Sequence, residues 1–91
     1  MVKTSYTIKN EEGLHARPAA LIAKKASEFK SKISLLKNGE AFEAKSILML
    51  MCIAAEKGET IEIQADGEDE QEALDALLEI LNNLWFKRRY I

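Results

Sequence analysis

An α+β fold, with a sheet carrying helices on one face, is what this sequence predicts, and three observations carry the prediction. Two segments, Val2 to Ile8 and Thr60 to Ala65, alternate polar and apolar residues, as half-buried strands do. Two longer segments place apolar residues at helical spacing, Ala19, Ile22, Ala23 and Ala26 in one, and Ala73, Leu74, Leu77, Leu78, Leu81 and Leu84 in the other. An Asn38-Gly39 pair between two short β-prone runs is a strong hairpin signal. At 91 residues the chain is a single domain spanning 1–91. Such a chain buries about 60–65% of the surface its unfolded form exposes, so it holds a modest core without staples.

Along the chain, Val2, Thr4, Tyr6 and Ile8 form the inward side of a first strand. Asn10 to Gly13 is turn chemistry. Pro18, the only proline, fits the first turn of a helix, where its missing N–H costs nothing, and that helix runs to about Phe29. Lys32 to Lys37 and Glu40 to Ala44 are the hairpin strands. Ser46 is a natural N-cap for a short apolar helix to about Ile53, ended before Gly58. Thr60 to Ala65 is the fourth strand, Asp66-Gly67 a turn, and the last helix starts near Asp69. Glu68, Asp69, Glu70 and Glu72 suit the positive end of its dipole, and Lys87, Arg88 and Arg89 the other end. The order is βαββαβα, a two-layer sandwich with one wet sheet face.

Composition excludes several functions. Apolar residues make up 47% and charged residues 31%, ordinary for a folded domain and too balanced for disorder. One cysteine, Cys52, permits no intrachain disulfide and no Cys-rich metal site, which fits a reducing cytoplasm or a compartment-neutral protein; cytoplasmic location and no metal or cofactor are expected. The N-terminus shows no apolar signal-peptide core, and no run is long enough for membrane insertion. The net charge of −2 is uneven: residues 1–55 carry +4, residues 56–86 carry −9, and residues 87–91 carry +3. The basic first half suits a phosphate or an acidic partner but falls short of a nucleic-acid stripe. The predicted wet face, with Lys3, Ser5, Thr7, Glu62 and Gln64, also lacks the stacking aromatics of an RNA-binding sheet.

His15 is the one histidine, between a glycine turn and the Pro18 helix. The first N–H groups of a helix lack intrahelical partners and form an anion site. Ala16, Arg17 and Pro18 make that helix start, and Arg17 adds a guanidinium that binds phosphate oxygens in a bidentate way. The same positive field keeps the imidazole neutral and nucleophilic near neutral pH. On the residues alone, His15 as a phosphoryl acceptor and His15 as a solvated turn or cap residue both stand.

Gly13-Leu14-His15-Ala16-Arg17-Pro18-Ala19 resembles the active-site signature of the HPr family, the histidine-containing phosphocarriers of the bacterial phosphoenolpyruvate:sugar phosphotransferase system. Asn38-Gly39, Lys45-Ser46-Ile47, Lys57-Gly58 and Gly67-Glu68-Asp69-Glu70 resemble it too, at matching spacing, so the likeness runs from Val2 to about Leu84. It implies an open-faced sandwich, a four-stranded, mostly antiparallel sheet covered on one face by three helices. It implies a stoichiometric carrier rather than an enzyme, a monomer that takes a phosphoryl group on His15 Nδ1 from enzyme I, with Arg17 stabilising the phosphate. The group then passes to the A-domain of a sugar-specific enzyme II. The resemblance makes Ser46 a regulatory phosphorylation site for a serine kinase/phosphorylase, read by a catabolite-control regulator. It places Ile47, Leu48 and Met51 at the docking surface, with Lys24 and Lys45 as basic neighbours. Two further readings share the fold: a regulatory binding module, and a dedicated carrier of a nitrogen- or dihydroxyacetone-linked phosphorelay.

Three features depart from the family's pattern. Met49 and Ala54 stand where many relatives carry glycine, and Ala54 calls for a backbone that tolerates a β-carbon. The aromatic and basic end, residues 85–91, is atypical, and Trp85 or Phe86 is expected to extend the core. Cys52 is expected to be a small buried core residue.

Overall fold

The computed structural model describes residues 1–9, 13–14 and 16–83. His15, the turn at 10–12 and the end from Leu84, with Trp85 and Phe86, lie outside the described residues. The elements are β1 (Val2–Thr7), α1 (Ala16–Ala26), β2 (Lys32–Lys37), β3 (Glu40–Glu43), α2 (Ile47–Cys52), β4 (Thr60–Asp66) and α3 (Glu70–Asn83), the predicted βαββαβα order.

The strands form one sheet in the order β1-β4-β2-β3, and every pairing is antiparallel. Register follows from the alternation. Thr4, Ile63, Leu35 and Phe42 line up across the four strands, and Val2, Ala65 and Ile33 form the next row. Ile33, Leu35, Phe42, Ile61, Ile63, Ala65 and Tyr6 are buried on that face. On the other face, rows such as Lys3, Gln64, Ser34 and Glu43 contain no buried residue. A one-residue slip would expose the whole apolar set, which is why the register is unambiguous.

The β2–β3 hairpin closes through Asn38 at φ 54° and Gly39 at φ 83°. Positive φ at both central residues is what a two-residue hairpin matching the strand twist demands, and Asn-Gly meets it cheaply. The core is completed by Ala19, Ile22, Ala23 and Ala26 of α1 and Ala73, Leu74, Leu77 and Leu81 of α3, with α1 packed on α3. The buried alanines let the α1 backbone approach its neighbours. Tyr6 fixes β1 to α3, its hydroxyl donating to the Leu81 carbonyl at 2.9 Å, while burial pushes the phenol's pKa up.

Antiparallel pairing sorts the loops onto two ends of the sheet. Thr7 pairs with Thr60 and Lys37 with Glu40 at one end; Val2 pairs with Ala65 and Lys32 with Asp66 at the other. At the second end, Asp69 accepts the amide N–H groups of Lys30 and Ser31, each at 2.9 Å, and the Ser31 hydroxyl. Glu70 accepts the Gly67 N–H at 3.1 Å. The acidic cluster expected to serve the α3 dipole therefore also holds the chain between α1 and β2. Gly67 is required there, because a Cβ would lie 2.6 Å from Ser31 Oγ and 2.7 Å from its Cα.

Candidate functional site

The segment that leads into His15 is built against the loop after α2. Leu14 donates its N–H to the Ala55 carbonyl at 2.9 Å, and its side chain is buried. Gly13 sits at φ +66°, and a Cβ on it would collide with that same carbonyl oxygen. Only glycine combines the left-handed conformation with so close an approach. On the far side of His15, α1 begins at Ala16. Its first turn contains no acidic residue, so the field of its N-terminal N–H groups is not offset there. Arg17 is exposed, and Pro18 is buried at the third helical position, where a missing N–H removes no helix bond.

Ser46 is the N-cap that its position predicts. Its backbone is extended, at φ −109° and ψ 117°, and its hydroxyl oxygen accepts the Met49 N–H at 3.2 Å. The α2 helix it opens is only six residues long and buries one of them, Leu50. The rest of this wholly apolar helix stays outside. Leu48 is 77% exposed, Ile47 and Met51 44% each, and Met49 40%. Exposure of Ile47 and Leu48 is as expected. Cys52 is a correction: it is exposed, and Ile53, just past the helix, takes the buried position instead. A short helix has one inward stripe, and the cysteine falls off it.

Ala54 is a second correction. Its φ is +53°, so the chain keeps the left-handed turn that glycine would favour and does not avoid it. Lys37 grips this turn: its ammonium lies 3.3 Å from the Ile53 carbonyl, 3.2 Å from the Ala54 carbonyl and 3.1 Å from Glu59 Oε1. Glu59 also accepts the Glu56 N–H at 2.7 Å, and that bond, followed by Lys37, holds its carboxyl below the usual carboxylate range. Sequence reasoning missed both residues. A lysine closing one strand and a glutamate 22 residues on carry no local signal of each other.

The predicted basic neighbours divide. Lys45 turns inward, donating to the Phe29 carbonyl at 2.9 Å. Lys24 is exposed and lines a shallow groove between α1 and α3 with Leu21, Lys25 and Ile80. Seven residues, two helical turns, separate it from Arg17, so both lie along one side of α1. Among the described residues, no His, Cys, Asp or Glu group could hold a metal ion. No described helix is long and apolar enough to cross a membrane.

Residues 2–83 match the family model described as the PTS HPr component phosphorylation site. The chain is 43% identical to the phosphocarrier protein HPr of Cupriavidus necator, over 91% of this chain and 93% of that one. A crystal structure of HPr from Thermoanaerobacter tengcongensis superposes with a TM-score of 0.87 at 40% identity, covering 91% of this chain and 93% of the other. Crh of Bacillus subtilis, a catabolite-repression protein crystallised as a swapped dimer, superposes at 0.74 with 41% identity, covering 91% and 95%. The chain belongs to the HPr family, the phosphocarriers of the phosphotransferase system, which carry a phosphoryl group and are not catalytic enzymes.

Proposed function

We propose that this HPr-family chain is a general phosphocarrier, in which His15 accepts a phosphoryl group from enzyme I and yields it to the A-domain of a sugar-specific enzyme II. The observation that carries the proposal is the contiguous run Gly13 to Ala19 at the opening of α1, with the Arg17 side chain exposed. A neutral ring nitrogen attacks phosphorus as the donor's bond to phosphorus breaks. The phosphoryl oxygens keep their charge throughout, and the N–H groups opening α1 and the Arg17 guanidinium receive them. Transfer of this kind is mostly positioning and charge stabilisation, so a surface site that borrows the rest of its groups from each partner suffices. The apolar side chains Ile47, Leu48 and Met51 are the docking face, and Arg17 and Lys24 favour partners with an acidic rim. On this reading residues 1–91 are one domain, working as a monomer in the cytoplasm.

Ser46 supports a regulatory layer. A phosphate at this N-cap would add about two negative charges beside the exposed Leu48, favourable for the helix and repulsive to an acidic partner. The likeness to Crh favours a second reading, a regulatory module acting through Ser46 alone. The presence of His15 with Arg17 weighs against it.

The test is phosphorylation by enzyme I and phosphoenolpyruvate of wild type and His15→Ala, followed by intact mass and acid treatment. One added phosphate on wild type alone, lost in mild acid, is expected. A wild-type chain left unmodified beside a positive-control carrier sinks the reading and moves the weight to the Ser46 module.

A further inference from the structure

The loop from Ile53 to Glu59 serves as a template for the chain that leads into His15. Ile8, just past β1, donates its N–H to the Glu59 carbonyl at 2.8 Å and accepts the Gly58 N–H at 2.9 Å. Leu14 donates to the Ala55 carbonyl. Both described ends of the segment between β1 and His15 thus hang on one loop. That loop contains a residue with a Cβ in the left-handed region, Ala54, a conformation that persists only where its surroundings impose it. Lys37 braces that turn: its three N–H donors meet three acceptors, two of them the carbonyls of Ile53 and Ala54. The third acceptor, Glu59, holds the far side of the turn through the Glu56 N–H. The Ala55 carbonyl lies between these two grips. The Lys37 side chain is only 18% exposed, so solvent competes weakly for the ammonium.

We propose that Lys37 and Glu59 are positioning residues for phosphoryl transfer: together they fix the Ala55 carbonyl, and through the Leu14 N–H they hold the backbone that leads into His15. The inference rests on His15 being the phosphoryl acceptor. Neither residue touches the transferred group. They act through a backbone carbonyl, and a displacement of about 1 Å at a reacting centre costs up to a hundredfold in rate.

The experiment compares wild type, Lys37→Met, Glu59→Ala and Glu59→Gln in full-length chains, with folding verified by circular dichroism. Two quantities are read: hydrogen exchange at the Leu14 amide, and kcat and KM for phosphorylation by phosphorylated enzyme I. Lys37→Met and Glu59→Ala are expected to speed Leu14 exchange by about tenfold or more, with the Ile61 and Ile63 amides of β4 unaffected. They should lower kcat about tenfold and leave KM within about twofold. Glu59→Gln keeps an acceptor oxygen and should recover most of both. Lowered thermal stability with unchanged kcat would make the pair a plain cap of α2 and overturn the proposal. So would a rise in KM alone, which would place the effect in docking. A wild-type chain that takes no phosphate overturns the reading of His15 itself, whereas a wild type that transfers beside variants that transfer equally well overturns only the brace.

Discussion

The two ends of the sheet are fastened by the same device and used differently. At the end holding Val2 and Asp66, Asp69 gathers three donors from Lys30 and Ser31, and Ser31 is buried. At the end holding Thr7 and Lys37, Glu59 gathers two donors from Glu56 and Lys37. Each is a carboxylate closing a loop against another element. The first latch joins the chain just before β2 to the start of α3. The second uses its closure to free other groups: exposed Arg17, the opening of α1 and the apolar side of α2. Closed loops beside exposed side chains are what the proposed carrier role asks of this end.

A single substitution made at each end breaks the comparison most strongly. Gly13→Ala and Gly67→Ala each drive a methyl group into neighbouring chain, Ala55 in one case and Ser31 in the other. Both should lose about 2–3 kcal/mol in denaturant unfolding. Only Gly13→Ala should also slow transfer from enzyme I, by about tenfold or more, since only that methyl group displaces the entry to His15. Equal transfer by the two variants would show that the ends are not functionally distinct.

Arg17→Ala sharpens the comparison from the opposite side. The residue is exposed, so the midpoint of thermal unfolding should move by no more than about 2–4 °C. Transfer should fall about ten- to a hundredfold, the usual cost of a lost charge-stabilising donor. A large drop in thermal midpoint would place Arg17 among the structural residues.

The smallest expected effect is in acid. The Ser31 hydroxyl, then the Lys30 amide, hold the Asp69 carboxyl below its ordinary value of 3.8, and Glu59 is held below 4.5 by the Glu56 amide and Lys37. A carboxylate with a depressed folded-state pKa contributes stability that is present above its unfolded value and is lost as pH falls through the folded one. Unfolding free energy should therefore decline below about pH 4. Asp69→Asn should be less stable at neutral pH and show a flatter acid limb, and Glu59→Gln should show the same to a lesser degree. An identical acid limb in Asp69→Asn would remove Asp69 from the latch.

What was legible in the sequence was whatever depends on neighbours along the chain. The alternation in β1 and β4 carries its own register, Asn38-Gly39 specifies both positive φ angles of its hairpin, and Ser46 caps the helix it precedes. The contiguous motif around His15 was legible for the same reason. The two latches were not, because Ser31 and Asp69, or Lys37 and Glu59, meet only once the sheet has formed. Cys52 shows the limit on a smaller scale. Its composition suits a core, but a six-residue helix has room for one buried side chain, and which residue takes it depends on how α2 leans on α1 and β3.

That exposed thiol has a practical side. Cys52 is the chain's only cysteine and closes α2, on the helix that carries Leu48 and Met51. The molecule therefore comes with a single native attachment point at the margin of its apolar patch. A thiol-reactive fluorophore placed there without any mutation would change its emission when a partner covers the patch. Titration with each candidate partner would then rank them by affinity before any phosphate is moved.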